Sequence, residues 1–378
     1  MTTAKHKIFI AGAGGIGQAA GLLLREWADF ETDLYIGDIN ENNLRQTKEI
    51  LTAKSERNGA VETINMTDKT ALQAALQNCE VLLDCLPGEQ APRMARFCKE
   101  FGLHYANLTE YVAQTDEIVA LAKDAETGFV LQTGLAPGFI NILAMSLYQK
   151  FVREFETENL ERVGMKVGAM TRYAHAPHFY GFTWSPIGVA TEYVKPCRTI
   201  RNFQISEQPA LSETEQIRIN GCDYEADLTS GGAANLTEFF AGKVRSLDYK
   251  TLRHPGHFDW ARLQIRELPN DETRPLRLLE IMQREIPHVQ EDFVLVHASV
   301  EGFDRTGVRR RLEKSFRMDA IEIGGQTLRA IQTTTAAPLV ECAAMLLSGK
   351  YKGVVQQSQI EPDEFLNGSF ISRVYGIV

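Results

Sequence analysis

Apolar positions recur in two alternating rhythms over the first third of the chain. KIFIAG (7–12) is a β-branched apolar run, and Ala19, Leu22, Leu23 and Trp27 then follow at three- and four-residue steps. The first pattern predicts a strand and the second a helix. DLYIGD (33–38), AVETIN near Val61, CEVLLDCLP (79–87), LHYANL near Tyr105 and FVLQTG near Phe129 repeat the strand signature. ENNLRQTKEILTA, DKTALQAALQ, RMARFCKEFG and EIVALAKDAE fill the gaps between them as helices. Strands alternating with helices of this kind specify βαβ units, and right-handed crossovers then leave a parallel, doubly wound sheet.

After Gly134 the texture changes. Residues 164–170, 199–205, 215–219, 223–227 and 293–300 read as strands separated by long turns, with 275–286 the clearest helix. Strands with interspersed helices predict an α+β domain on a mixed or antiparallel sheet. From Thr334 through ECAAMLLSGK the composition is again helical. The expected division is therefore discontinuous: 1–135 plus 334–378 as one domain and 136–333 as the other. A length of 378 residues independently favours about two cores.

Composition narrows the partners. There are 49 acidic residues against 40 basic ones, a net charge of -9. Such an excess repels a phosphate backbone, so no nucleic-acid partner is expected. The apolar runs read as short and interrupted, so no membrane span is expected. The opening MTTAKHKIFIAGAGG enters the first strand without the basic and apolar blocks of a targeting signal. Six scattered cysteines without a C-x-x-C pair read as small buried thiols of a reducing, cytoplasmic compartment.

The first strand runs into Gly12-Ala13-Gly14-Gly15-Ile16-Gly17 and then a helix, a G-x-G-x-x-G in the context that gives it meaning. Gly12 permits the tight turn, Gly14 lets the backbone approach a pyrophosphate, and Gly17 allows close packing of helix on sheet. The helix N-terminus beyond offers unpaired N–H groups to phosphate. Asp38, 21 positions after Gly17, ends the second strand, where a carboxylate accepts from ribose hydroxyls. A Rossmann-type sheet binding a dinucleotide is the expectation. Asp38 repels a 2′-phosphate and neighbouring Ile39 offers no guanidinium, so NAD is expected over NADP. Leu86-Pro87 after the fourth strand and Gly134 and Pro137 after the sixth fall on the carboxyl edge, where they would line the nicotinamide.

The runs GLAPGFINILAM (134–145), FTWSPIGVATEYVKPC (182–197), TSGG (229–232), KTLRHPGH (250–257) and AIQTTTAA (330–337) together resemble the saccharopine dehydrogenase family. The likeness is strongest to its single-chain bacterial and archaeal type, which includes lysine 6-dehydrogenases. The resemblance implies a nicotinamide-dependent oxidoreductase acting on the C–N bond of an amino acid or its imine. It also implies a Rossmann domain joined to a substrate and dimerisation domain, and so a homodimer. Saccharopine-forming members carry Gly-Gly-Leu-Pro where this chain has Gly168-Ala169-Met170-Thr171, and most use NADP. Lysine 6-dehydrogenase and carboxynorspermidine-type reductase chemistry therefore stay open, as does an NAD-binding protein without catalysis.

Oxidising H–C–N to C=N needs a general base near neutrality. Glu110, His254 and His257 are the candidates, with Glu110 and His257 preferred. An amino-acid carboxylate needs a fixed cation that can bind it bidentately; Arg253 is the choice, ahead of Arg172. Trp184, beside Ser185, either closes the substrate pocket or fills a core. His175/His178 and His254/His257 are H-x-x-H pairs without a third ligand, so no metal is expected. Arg309-Arg310-Arg311 reads as a solvated strand edge.

Overall fold

A computed structural model describes residues 5–53 and 59–377 of the chain; residues 1–4, which open the stretch read for a targeting signal, lie outside it. Contacts divide the chain into two units. The first is Met1–Phe139 with Ile321–Leu328 and Gln332–Val378, and the second is Ile140–Ala320 with Arg329–Ile331. The short stretch Ile321–Leu328, assigned from sequence to the second body, thus falls in the first.

The first unit begins with β1 (Lys5–Ala11), α1 (Gly15–Trp27), β2 (Glu31–Asp38), α2 (Glu41–Thr52), β3 (Val61–Asn65) and α3 (Lys69–Leu76). It continues with β4 (Val81–Asp84), α4 (Ala91–Phe101), β5 (His104–Asn107), α5 (Val112–Ala122) and β6 (Gly128–Val130). Ile8, Phe9, Ile10 and Ala11 are all fully buried, the mark of a central parallel strand covered on both faces. The Asn40 side chain accepts from the Asn42 and Asn43 N–H groups to start α2, and Asp68 does the same for α3. α4 stops at Gly102, whose φ of 71° lies in the left-handed region.

The second unit contains α6 (Phe139–Phe155, all but its first residue), β7 (Leu160–Thr171), α7 (Pro186–Glu192), β8 (Cys197–Arg201), β9 (Gln204–Gln208), β10 (Glu215–Ile219) and β11 (Cys222–Leu228). α8 (Leu236–Phe240), β12 (Val244–Arg253), α9 (His257–Arg266), α10 (Arg274–Glu285), β13 (Asp292–Phe303) and β14 (Arg309–Asp319) complete it. Its sheet runs β10-β11-β12-β7-β13-β14, with β8 on β12 and β9 on β8. β12 and β7 are parallel and the other pairs antiparallel, so the sheet is mixed. Residues 199–205, expected as one strand, span a hairpin: the end of β8, a turn at Asn202 and Phe203, and the start of β9. Asn202 and Phe203 take φ of 52° and 69°, which reverses the chain between β8 and β9. The basic run 309–311 lies on β14 at the sheet edge.

The chain then adds β15 (Ile321–Ile323), β16 (Gln326–Leu328), α11 (Ala330–Leu347), β17 (Gly353–Val355), α12 (Pro362–Leu366) and α13 (Ser369–Tyr375). β17 pairs in parallel with β6 and closes a seven-stranded order β17-β6-β5-β4-β1-β2-β3. The architecture is an α/β Rossmann-type parallel sheet and a second domain on a mixed sheet. α11 corrects the reading of the apolar runs: its 18 residues, mean hydropathy 1.3, are long and apolar enough to cross a bilayer by length and composition. Most of that helix (72%) is buried within the protein, as core helices are. Cys222 is exposed, so the six thiols are not uniformly buried.

Candidate functional site

In the first unit the glycine loop is shaped by backbone approach. Gly12 has φ 102°, and a Cβ there would stand 2.9 Å from the Cys85 carbonyl oxygen. At Gly17 a Cβ would meet the Gly12 carbonyl at 1.9 Å, whereas at Gly14 it would meet nothing within 4 Å. Gly14 is the N-cap of α1, and no side chain caps that end. Gly15 is exposed and Ile16 half-buried in the first turn. An open glycine at an uncapped helix N-terminus fits a dinucleotide diphosphate.

Asp38 is tied to this loop. Its Oδ2 accepts from Ala13 N–H and its Oδ1 from Asn40 N–H, both at 2.8 Å. A carboxylate has about four acceptor positions, so further donors can still be received. Ile39 beside it is 72% exposed. Arg45, on α2, donates to Asn42 Oδ1 at 3.2 Å.

Three loops leave the carboxyl ends of β4, β5 and β6. Leu86 is half-buried and Pro87 exposed. Gly134 and Pro137 are buried within their own turn, where Gly134 N–H donates to the Pro137 carbonyl at 2.9 Å. Glu110 lies two residues before α5 rather than in its first turn. Burial and the neighbouring Glu89 carboxylate push its carboxyl up from the usual range. No basic side chain pairs with it among the described residues.

In the second unit Arg253 ends β12 with its guanidinium 2% exposed. Its Nε–H donates to the Tyr193 hydroxyl at 2.7 Å and its Nη1 to the Leu252 carbonyl at 2.9 Å. It also lies 4.6 Å from the centroid of the Tyr180 ring. Burial opposes its charge, but Tyr193, Tyr180 and Glu192 outweigh that and raise its pKa. Among the described residues no carboxylate forms an ion pair with it.

His257 was expected as a general base. Instead it is fully buried at the start of α9, with Nδ1 2.6 Å from the His178 carbonyl and Nε2 2.9 Å from the Tyr193 hydroxyl. Burial, then the Arg253 charge, pull its pKa down to about 3. The imidazole stays neutral with both nitrogens engaged, so it holds Tyr193 rather than presenting a free base. His254, half-buried, donates from Nε2 to the Thr171 carbonyl at 3.0 Å, and burial lowers its pKa.

Arg172 is directed elsewhere: its side chain is 44% exposed and pairs with Asp319 at 2.7 Å. Trp184 is half-buried against the cluster of Tyr180, Phe182 and Val189, and it covers Gly188, where a Cβ would touch its ring at 2.5 Å. Ser185 caps α7. His175 is exposed, and His178 Nδ1 accepts from Tyr180 N–H at 3.3 Å. A cavity of about 450 Å³ has Thr171, Tyr173, His178, Tyr180 and Glu291 in its wall, so the ring that stacks on Arg253 also faces this space. Tyr193 and Tyr180 were not read from the sequence as site residues, although Tyr193 lies in one of the quoted runs.

Comparison with known proteins decides the family. The saccharopine dehydrogenase NADP binding domain matches residues 8–131, and the saccharopine dehydrogenase C-terminal domain matches 134–373. The chain belongs to the saccharopine dehydrogenase family. It is accordingly an oxidoreductase of that family with an NAD(P)-binding domain. The mitochondrial alpha-aminoadipic semialdehyde synthases of Rattus norvegicus and Mus musculus are each 23% identical over 53% of the chain. The match covers 21% of their length, so the chain spans about a fifth of these curated relatives. Among solved structures, apo saccharopine dehydrogenase (L-Glu forming) from Saccharomyces cerevisiae superposes with a TM-score of 0.74 at 13% identity, covering 96% of both chains. Homospermidine synthase from Legionella pneumophila, in complex with NAD, gives 0.66 at 13% identity over 99% of this chain and 91% of that one. At such identities the shared property is the fold.

Proposed function

We propose that this family member is an NAD-dependent dehydrogenase or reductase acting on the C–N bond of an amino acid or its imine, with a lysine-like or longer side chain. The observation that carries this reading is Arg253: a buried guanidinium that, among the described residues, has the Glu192 charge near it but no carboxylate in ion-pair contact calls for an anionic ligand. An amino-acid carboxylate has the shape for its fork.

When bound, the nicotinamide supplies the hydride acceptor or donor. Gly12, Gly14, Gly15, Ile16 and Gly17 would hold its diphosphate, Asp38 and Ile39 the adenosine ribose, and Leu86, Pro87, Gly134 and Pro137 would frame the ring. Asp38 supports NAD, since its carboxylate would face a 2′-phosphate. Arg253 orients the substrate and Tyr193 holds Arg253, with His257 behind it. Glu110, its pKa raised by burial and by Glu89, takes or returns the nitrogen's proton. Trp184 would close the substrate pocket, while Arg172, committed to Asp319, is left out of the substrate contacts.

The test is a panel assay: the purified protein with NAD or NADP and lysine, saccharopine or a carboxynorspermidine-type amine, read by absorbance of the reduced cofactor. The expected result is reduction of NAD by one of these amines. Silence in both directions, with the cofactor still bound, would favour the non-catalytic alternative.

A further inference from the structure

Beneath the carboxyl edge of the parallel sheet runs a buried polar chain that the site above does not use. Asp84, the last residue of β4, is 2% exposed. Its Oδ1 accepts from Leu86 N–H at 3.1 Å and its Oδ2 from the Tyr105 hydroxyl at 2.7 Å. Asn107 Nδ2 reaches the same hydroxyl at 3.4 Å, and Asn107 Oδ1 accepts from Gln132 N–H at 2.8 Å. Gln357 donates to the Gln132 carbonyl at 2.7 Å. Gln132 takes φ 60°, a left-handed conformation that costs a non-glycine residue free energy and persists where its surroundings impose it.

The chain thus joins the backbone of the loop after β4 to that of the loop after β6. These are the two loops assigned to the nicotinamide half of the cofactor, so the inference rests on that reading. The adenosine half is assigned to Asp38, whose carboxylate accepts from Ala13 and Asn40 N–H at 2.8 Å each, so no side-chain hydrogen bond of Asp84 reaches it.

We propose that Asp84 and Tyr105 are positioning residues for the nicotinamide half of the dinucleotide, acting through Leu86 N–H and, by way of Asn107, through Gln132. The geometry also contains a proton switch. The Ala91 carbonyl, at the start of α4, lies 3.2 Å from the Tyr105 hydroxyl. With Asp84 ionised, Tyr105 donates to it. With Asp84 protonated, the carboxyl donates to Tyr105, whose own proton turns to Ala91, and Leu86 N–H keeps only a neutral acceptor. The titratable groups facing Asp84 are Tyr105 on β5, Cys98 on α4 and adjacent Cys85, all three held neutral by burial. Burial raises Asp84 to about 6, against the hydrogen bonds from Tyr105 and Leu86.

The experiment compares calorimetric affinities of the full chain, Asp84→Asn and Tyr105→Phe for NADH and for ADP-ribose, which lacks the nicotinamide. The expected result is a loss of about tenfold for NADH in each variant, with ADP-ribose unchanged within about twofold. Wild-type affinity for NADH should also fall as pH drops through about 6, while Asp84→Asn shows no such step. Tyr105→Phe keeps the ring and decides the matter if Asp84→Asn does not fold. Unchanged NADH affinity in the variants, or equal loss of both ligands, overturns the proposal alone. Failure of the wild type to bind ADP-ribose overturns the cofactor reading and this one with it.

Discussion

Tyr193 donates its hydroxyl proton to His257 Nε2 across 2.9 Å, and the far side of the ring fixes that direction. His257 Nδ1 faces the His178 carbonyl at 2.6 Å, and a carbonyl can only accept. Nδ1 therefore carries the proton and Nε2 the lone pair. The Tyr193 oxygen is then left to accept from Arg253 Nε–H at 2.7 Å. One proton arrangement satisfies all three side chains, and it orients the guanidinium.

Tyr193→Phe breaks both bonds while keeping the ring. The expected outcome is a rise of about tenfold in KM for the amino-acid substrate, with KM for the cofactor unchanged. Steady-state kinetics with each substrate varied in turn checks it. Equal effects on both KM values would place Tyr193 in a general structural role.

Glu110 sits where burial and Glu89 hold its carboxyl high. In the oxidative direction its ionised form is the active one, so kcat should rise with pH through a pKa above the ordinary carboxylate range. Glu110→Gln should lower kcat by about 10²–10⁴-fold and abolish that limb of the profile. A variant with the same pH profile as wild type would move the proton step to another group.

Asp38 gives a cofactor prediction of opposite signs. Asp38→Ala removes an acceptor for the ribose hydroxyls and a repulsion against 2′-phosphate. Affinity for NAD should fall by about tenfold and affinity for NADP should hold or improve. Titration of each cofactor by fluorescence reads both. A larger loss for NADP would show that the second strand addresses the other nucleotide.

The parts of the fold that could be read in advance are those where one periodicity dominates. β1 and β2 are short, largely apolar runs, α2 has helical spacing, and the glycine loop has its strand, helix and acid in register. β12 was not read as a strand because VRSLDYKTLR carries charged residues on a strand that is nearly all buried. Those charges are accommodated by cross-strand partners: Lys250 and Lys166 stand in register on β12 and β7, and both approach Glu215. The burial of His257 has a related cause. A Pro-Gly turn before a histidine reads as exposed, yet Glu225 receives the Gly256 and Phe258 N–H groups at 3.1 and 2.7 Å and draws the start of α9 inward. Asp84 closes an apolar strand, and nothing local reveals that a tyrosine on the next strand, 21 residues later, partners it.

Glu341 on α11 makes a stability prediction. Its Oε2 accepts from Phe370 N–H at 3.0 Å and lies 3.5 Å from Ile371 N, at the start of α13. Burial raises it to about 7 despite those bonds. The folded state therefore binds a proton more tightly than the unfolded one, whose carboxyl titrates near 4.3. Stability is highest below the unfolded pKa and is lost as pH rises towards about 7. Glu341→Gln should melt higher than wild type above that pH, by about 1–3 kcal/mol in stability, and the difference should shrink by pH 5. Urea denaturation at the two pH values measures it.

Glu215 works in the opposite sense. It lies 3.1 Å from Lys166 Nζ, 3.3 Å from Lys250 Nζ and 3.4 Å from Arg162 Nη2. Lys166 and Lys250 are 4% and 3% exposed, and Asp248 serves the arginines, pairing with Arg162 and Arg201. Burial opposes the Glu215 charge, but Lys166 first, then Arg162 and Lys250, draw its pKa down to about 2. A depressed carboxylate contributes stability above its unfolded pKa and loses it as pH falls towards the folded value. Glu215→Gln leaves two buried ammonium groups without their counter-charge. Because Glu215 keeps some solvent contact, the cost should be about 2–3 kcal/mol at pH 7, below that of a fully buried pair. The variant should also lose the acid-sensitive limb of stability between about pH 4.5 and 2 that wild type shows. If Glu215→Gln is as stable as wild type at pH 7, the ion cluster is not what holds this face of the sheet.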